Sequence, residues 1–150
     1  MKRIASIQDV SCLGRCSQTV ALPVVSAMGV ECAILPTAVL STHTSFPDFR
    51  CLDLTDQLLP VARHWKAQGV RFDALYTGYL ASDRQVAVVL ELLELLREEG
   101  TLLFVDPAMA DHGKLYAGFG PEFPALMAQV VSKAQITVPN ITEASLMTGL

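Results

Sequence analysis

Four groups with chemical capacity follow apolar runs along this 150-residue chain. Asp106 closes the run Leu102-Leu103-Phe104-Val105, and Asp111 comes five residues later across a Pro-containing loop. Asn140 and Glu143 are spaced N-x-x-E at the mouth of the last helical pattern. Three carboxylates and an amide on one edge suit a hard cation such as Mg²⁺, which keeps several waters and takes one or two carboxylates plus phosphate oxygens. A competing role is structural, with Glu143 as a first-turn acid and Asp106 as a turn cap. A second group, Ser41-Thr42-His43-Thr44, offers hydroxyls and an imidazole that can hydrogen-bond the ring nitrogen and hydroxyl of an aromatic heterocycle, although the same residues form ordinary turns. Cys12-x-x-x-Cys16 with His43 matches no zinc spacing and lacks a fourth ligand, so Cys12, Cys16, Cys32 and Cys51 read as free thiols. His64 beside Trp65 reads as a surface or packing pair.

The elements that must carry these groups are strands at Ile4 to Gln8, Cys32 to Pro36, Ala74 to Thr77, Leu102 to Asp106 and Gln135 to Val138. Between them the periodicity predicts helices at Gln18 to Met28, Leu54 to Gln68, Arg84 to Glu99 and Pro121 to Lys133, with another from Thr142. Gly29, Gly69 and Gly100 read as left-handed helix ends. This alternation is the pattern of βαβ units, so the fold class is α/β, three layers around a mostly parallel sheet. Ligands of such sheets sit beyond the carboxyl ends of the strands. There the sequence places Asp9, Thr37, Thr77-Gly78-Tyr79, Asp106-Pro107 and Asn140.

Composition narrows the function. With 51% hydrophobic and 17% charged residues, the chain has the makings of a core and is not disordered. A net charge of −4, with Lys and Arg scattered singly, offers no stripe for a nucleic-acid backbone. The apolar stretch Thr19 to Leu40 is broken by Pro23, Gly29, Glu31 and Pro36, so no membrane span is expected, and a cytoplasmic location follows from the absence of a signal-peptide pattern. GxGxxG after the first strand, GxxxxGK[ST] and GxSxG are absent, and Gly118-Phe119-Gly120 reads as a loop. No linker or repeat divides residues 1 to 150, and the final helical pattern from Thr142 has no following strand, which reads as the N-terminal part of one domain, incomplete at its C-terminal side.

Taken in order, Ser6-Ile7-Gln8-Asp9, Gly14-Arg15-Cys16-Ser17, Thr37 to Thr44 (TAVLSTHT), Thr77-Gly78-Tyr79, Asp106 to Asp111 (DPAMAD), Gly113-Lys114-Leu115-Tyr116 and Val138 to Ala144 (VPNITEA) resemble the pyridoxal/pyridoxamine kinases of the ribokinase-like superfamily. The resemblance implies transfer of a phosphoryl group from ATP, with Mg²⁺, to the 5′-hydroxyl of pyridoxal, pyridoxine or pyridoxamine, by a protein that is a homodimer at full length. It implies that Asp9, Cys16, His43, Thr44, Tyr79 and Tyr116 face the vitamin. Asp106, Asp111, Asn140 and Glu143 would surround the nucleotide phosphates, with Asp106 and Glu143 on the metal. Two departures stand out: Ala110 replaces the usual glycine, and the GTGD-type segment that carries the base is not among these residues, so residues 1 to 150 are expected to be inactive alone. A hydroxymethylpyrimidine or sugar kinase of the same superfamily, or a non-catalytic binding domain, are the alternatives.

Overall fold

The computed structural model describes residues Met1–Leu150. Strands β1 (Arg3–Ser11), β2 (Glu31–Leu40), β3 (Cys51–Asp53), β4 (Ala74–Thr77), β5 (Leu102–Val105) and β8 (Ile136–Thr137) form one sheet in the order β3-β2-β1-β4-β5-β8. All its pairings are parallel except that of β3 with β2. Strands β6 (Ala110–Asp111) and β7 (Lys114–Leu115) make a separate small hairpin. The helices are α1 (Gln18–Ala27), α2 (Thr55–Ala67), α3 (Asp83–Leu96), α4 (Phe123–Val131) and α5 (Ile141–Thr148). The expected α/β class with a mostly parallel sheet is what the chain adopts.

Strand order dictates which face each helix covers. The chain leaves β1 for β2 in one direction, then returns across β1 to β4 and continues the same way to β5 and β8. With right-handed crossovers, the first helix falls on one face and those of the later crossovers on the other. The packing agrees, because α1 lies on β1 and β2, whereas α2, α3 and α4 contact one another in series. Residues that pair across the sheet share a face, so Ala5, Leu35, Leu75 and Leu103 point together into the core beneath α2 to α4. On the opposite face the row Ile34, Tyr76, Phe104 and Ile136 is less covered, with Ile34 and Ile136 exposed. That face carries α1 over β1 and β2 only, which leaves the apolar side of β5 and β8 open.

Helix α3 illustrates how sequence sets the core. Ser82 accepts a hydrogen bond from the Gln85 backbone N–H, which caps the first turn. Val86, Val89, Leu92, Leu93 and Leu96 then recur at helical spacing and are all buried. Each fully buried aliphatic side chain stabilises the fold by about 1.5–3 kcal/mol relative to exposure. On the solvent side Lys133 Nζ meets Glu94 Oε1 at 2.8 Å and ties α3 to the end of α4, a surface pair of small energetic weight.

The boundaries differ from the sequence reading where partners decide them. β1 and β2 run on past Gln8 and Pro36 because they pair with each other to Ser11 and Leu40; the register slips between Gln8 and Val10, so β2 carries one extra residue just after Pro36, which has no N–H to give. Asp9 and Thr37 therefore lie inside strands rather than beyond them. The edge strand β3 and the β6–β7 hairpin are too short to carry a periodic signal. Helix α4 begins at Phe123, with Pro124 in its first turn and Pro121 outside. Gly29 and Gly69 do take left-handed conformations just past α1 and α2, but α3 ends at an extended Arg97, so Gly100 (φ 84°) belongs to the following turn. Trp65 packs on Phe72 with ring centroids 5.4 Å apart while His64 is exposed, as expected of a surface and packing pair.

A buried amide that the periodicity ignored joins three elements. Gln85, fully buried, donates through Nε2 to the Thr37 carbonyl (3.0 Å) and Thr55 Oγ1 (2.9 Å), and its Oε1 accepts from the Ala81 N–H (2.8 Å). Replacing it strands a buried donor and acceptor as well as opening a cavity. Gln85→Ala is expected to cost roughly 2–4 kcal/mol in urea unfolding.

Candidate functional site

Adjacent strands whose connections leave in opposite directions open a crevice at their carboxyl ends, because no helix bridges the gap. Here those strands are β1, leaving toward β2, and β4, leaving toward β5. A cleft of about 870 Å³ lies at this point, within the range of small-molecule sites. Every residue expected to face a heterocycle lines it: Asp9, Cys16, His43, Thr44, Tyr79 and Tyr116. Asp106 and Asp111 line it too, whereas Asn140 and Glu143 do not.

At one end the chemistry centres on Asp9, a carboxylate only 3% exposed. With no cation beside it, its oxygens accept from Ser11 Oγ (3.0 Å) and Ser17 Oγ (2.5 Å), the compensation that a buried charge requires. Ser17 turns toward Asp9 instead of capping α1, and it holds φ 49° and ψ −130°, a conformation costly for a residue with a side chain. Two glycines bring the walls together. A Cβ on Gly14 (φ 125°) would sit 2.7 Å from His43 Cδ2, and one on Gly78 would sit 2.6 Å from Gln8 Oε1. The loops carrying Gly14 and His43 are further joined by the His43 N–H donating to the Leu13 carbonyl at 3.3 Å. Burial, and then the charges of Asp9 and Cys51, push the Tyr79 phenol up to about 12, so it stays protonated and can donate.

At the other end stands Asp106, whose carboxylate accepts no hydrogen bond from the chain. Burial, reinforced by the charge of Glu143, pushes it up to about 6. Glu143 is buried behind the cleft and both its oxygens are occupied: Oε1 accepts from the Met109 N–H (3.1 Å) and Oε2 from the Asn140 N–H (2.9 Å). Asn140 Oδ1 accepts from the Glu143 N–H (2.9 Å), which completes a capping box, and its Nδ2 donates to the Ala110 carbonyl (2.8 Å). The structure thus gives Glu143 its alternative role as a first-turn acid, and together with Asn140 it pins the loop from Asp106 to Asp111 against α5. Ala110 causes no strain there, since positive φ falls instead on His112 and Gly113 in the hairpin turn.

No three His, Cys, Asp or Glu side chains gather closely enough to form a metal cage. One unpaired carboxylate under electrostatic pressure from a neighbour fits a hard cation that keeps most of its waters and leans on phosphate oxygens. Asp106 meets that description; Glu143, with both oxygens engaged, does not. The four cysteines are free thiols, with Cys12 and Cys51 exposed.

Sequence reasoning missed Gln8, Ser11, Ser17 and Tyr76, all of which line the cleft. Ending β1 at Gln8 hid Ser11 and the serine contacts to Asp9, which depend on the β1–β2 pairing. It also missed the wall built by Val20 and Val24 of α1, whose exposure to the cleft is invisible in an evenly apolar helix. Arg15 is the one Lys or Arg among the lining residues.

No family model matches the chain. It is similar over 99% of its length, with 42% identity and a TM-score of 0.94, to a Bacteroides thetaiotaomicron protein described as a candidate phosphomethylpyrimidine kinase, in a crystal form with pyridoxal; it covers 52% of that chain. Pyridoxal kinase from Lactobacillus plantarum is 37% identical with a TM-score of 0.90, again over 99% of this chain and 53% of the other. Pyridoxal kinase from Arabidopsis thaliana is 30% identical over 154 residues. The chain spans about half the length of the curated relatives it matches. Its fold is that of the ribokinase-like pyridoxal kinase structures.

The pressure on Asp106 has a measurable consequence for stability. Its carboxyl is raised from the usual carboxylate range to about 6 in the folded chain, so the folded state binds the proton more tightly than the unfolded one. Stability is therefore fullest below about pH 4 for this group, declines as pH rises toward 6, and levels off above. Asp106→Asn removes the charged form. In urea unfolding it is expected to exceed wild type by about 1–2 kcal/mol at pH 7.5, after discounting for solvent access, and to converge with it near pH 4.

Proposed function

We propose that the cleft binds a pyridoxal-type heterocycle and belongs to an ATP-dependent kinase that phosphorylates its 5′-hydroxyl. The observation that supports this reading is the division of one cleft into two chemistries. Asp9, His43, Thr44 and the protonated Tyr79 offer both donors and acceptors at one end, while Asp106 and Asp111 stand at the other. A heterocycle with a ring nitrogen, a phenolic hydroxyl and a hydroxymethyl arm matches that division. The similarity of this chain to pyridoxal kinases over nearly its whole length supports the same substrate class.

In this reading the side chains of Val20 and Val24 on α1 and the Tyr79 ring sandwich the apolar faces of the heterocycle. Asp9, held in place by Ser11 and Ser17, supports the polar edge of the pocket. Asp106 would hold Mg²⁺, which when bound supplies neutralisation of phosphate charge, the main requirement of phosphoryl transfer. Glu143 acts from behind: it fixes the Asp106–Asp111 loop and keeps the Asp106 carboxylate in need of a counter-charge. The reading extends, through the resemblance alone, to a homodimeric protein in which ATP is the donor. A GTGD-type segment carrying the base is not found in residues 1–150.

A hydroxymethylpyrimidine is the second ligand worth testing, because the 42%-identical neighbour is named for a related pyrimidine, as a phosphomethylpyrimidine kinase, although pyridoxal is the compound in its crystal. Calorimetric titration of this chain with pyridoxal, pyridoxamine, hydroxymethylpyrimidine and ribose separates the readings. Pyridoxal or pyridoxamine is expected to bind at least about tenfold more tightly than the other two, a difference of about 1.4 kcal/mol. Tyr79→Ala is expected to abolish that preference. Asp106→Asn should leave pyridoxal affinity nearly intact and raise the Mg²⁺ concentration needed for nucleotide binding. Tighter binding of the pyrimidine would overturn the vitamin assignment.

A further inference from the structure

Tyr79 forms the pocket wall at the carboxyl end of β4, yet its phenol hydroxyl has no hydrogen-bond partner in the chain. Its ring orientation is therefore set by packing. The aromatic ring against it is Phe119, at a centroid distance of 5.6 Å and a tilt of 38°. Phe119 in turn stacks on Phe123, 3.9 Å away and within 7° of parallel. Phe123 is a core residue at the start of α4, only 1% exposed. Three rings thus run from the fixed core, through a half-buried loop residue, to the wall of the cleft.

The loop itself reinforces the argument. Gly118 (φ 95°) and Gly120 flank Phe119, so within this turn Phe119 is the one side chain that can reach Tyr79. The Phe119 N–H donates to the Tyr116 carbonyl at 3.3 Å, and the Tyr116 N–H donates to the Met109 carbonyl at 2.9 Å. Tyr116 and Ala117 line the cleft beside Asp106 and Asp111. The segment carrying Phe119 is consequently continuous with the phosphate-side wall, while its ring rests on the opposite, heterocycle-side wall.

We propose that Phe119 is a positioning residue, which fixes the Tyr79 ring for the heterocycle and couples the two ends of the cleft through the Phe123–Phe119–Tyr79 stack. The proposal rests on the pyridoxal reading for the identity of the ligand, though not for the coupling of the rings. Offset and tilted aromatic pairs contribute beyond the area they bury, and they fix orientation in a way an aliphatic side chain of similar size does not. A Tyr79 ring free to swing would have to be ordered by the ligand, at a cost in affinity.

The test combines two readouts on the 150-residue chain. Tyrosine is isotope-labelled on the ring, giving three NMR ring signals from Tyr76, Tyr79 and Tyr116, and Tyr79 is assigned by its loss in Tyr79→Phe. Pyridoxal affinity is measured by calorimetry on the same samples. Phe119→Leu is expected to shift and broaden the Tyr79 signal and to weaken pyridoxal binding about fivefold to tenfold. Phe119→Trp should restore both. Leu126→Ala, which trims a half-buried residue of α4 away from the cleft, controls for general destabilisation and should leave both readouts unchanged. An unmoved Tyr79 signal in Phe119→Leu overturns the proposal, as does a moved signal with unaltered pyridoxal affinity, or equal losses in Leu126→Ala. Failure of the wild-type chain to bind pyridoxal overturns the substrate reading, and the Tyr79 signal then still decides whether Phe119 fixes that ring.

Discussion

The reversal of strand order about β1 is the constraint on which the rest of the molecule depends. Because right-handed crossovers carry α1 to one face and α2, α3 and α4 to the other, nothing spans the carboxyl ends of β1 and β4. The same reversal that concentrates the core on the α2–α4 side leaves the site walled by α1 on its other side. Site and core are thus two results of one topological choice. The long β1–β2 pairing, which extends to Ser11 and Leu40, then delivers Asp9 and the loop after β2 to the mouth of that gap.

Within the gap, charge is managed by different means at each end. Asp9 is satisfied locally by hydrogen bonds from two serine hydroxyls, one of them on a residue held in a costly backbone conformation. Such strain persists only where surrounding structure over-determines it, and here the Asp9–Ser17 contact and the Gly14–His43 packing do so together. Asp106 is left without a partner, and Glu143 is bound immediately behind it by backbone N–H groups. At one end of the cleft the carboxylate is consequently satisfied within the chain, and at the other it is left in a state that a cation and phosphate oxygens would complete.

Much of this was legible in the sequence, for reasons that can be assigned residue by residue. The short strand Ala74–Thr77 was read to the residue, because a buried strand between two turn signals announces its own limits. Asp106, His43, Thr44 and Tyr79 are legible because polar groups after apolar runs fall on one sheet edge, whereas Tyr116 is implied by the resemblance alone; all five line the cleft. Asn140 and Glu143 were found for the same reason and then given a phosphate-side role; what sequence spacing could not separate is a carboxylate aimed at a ligand from one turned back to cap its own helix. Ser17, Gln85 and Phe119 are illegible, since each matters through a partner that neither helical nor strand periodicity brings beside it: Asp9, Thr37 and Tyr79 respectively. The edge strand β3 and the hairpin of β6 and β7 exist through pairing rather than through any pattern of their own.

The central claim is that one ligand bridges the two ends of the β1/β4 cleft, and locating pyridoxal on the chain tests it most directly. In a crystal of this chain grown with pyridoxal, the account places the pyridine ring between Tyr79 and the Val20–Val24 face of α1, its polar edge toward His43 and Thr44, and its hydroxymethyl arm toward Asp106. Pyridoxal bound anywhere outside this cleft, or bound within it with the arm turned away from Asp106, would contradict the account.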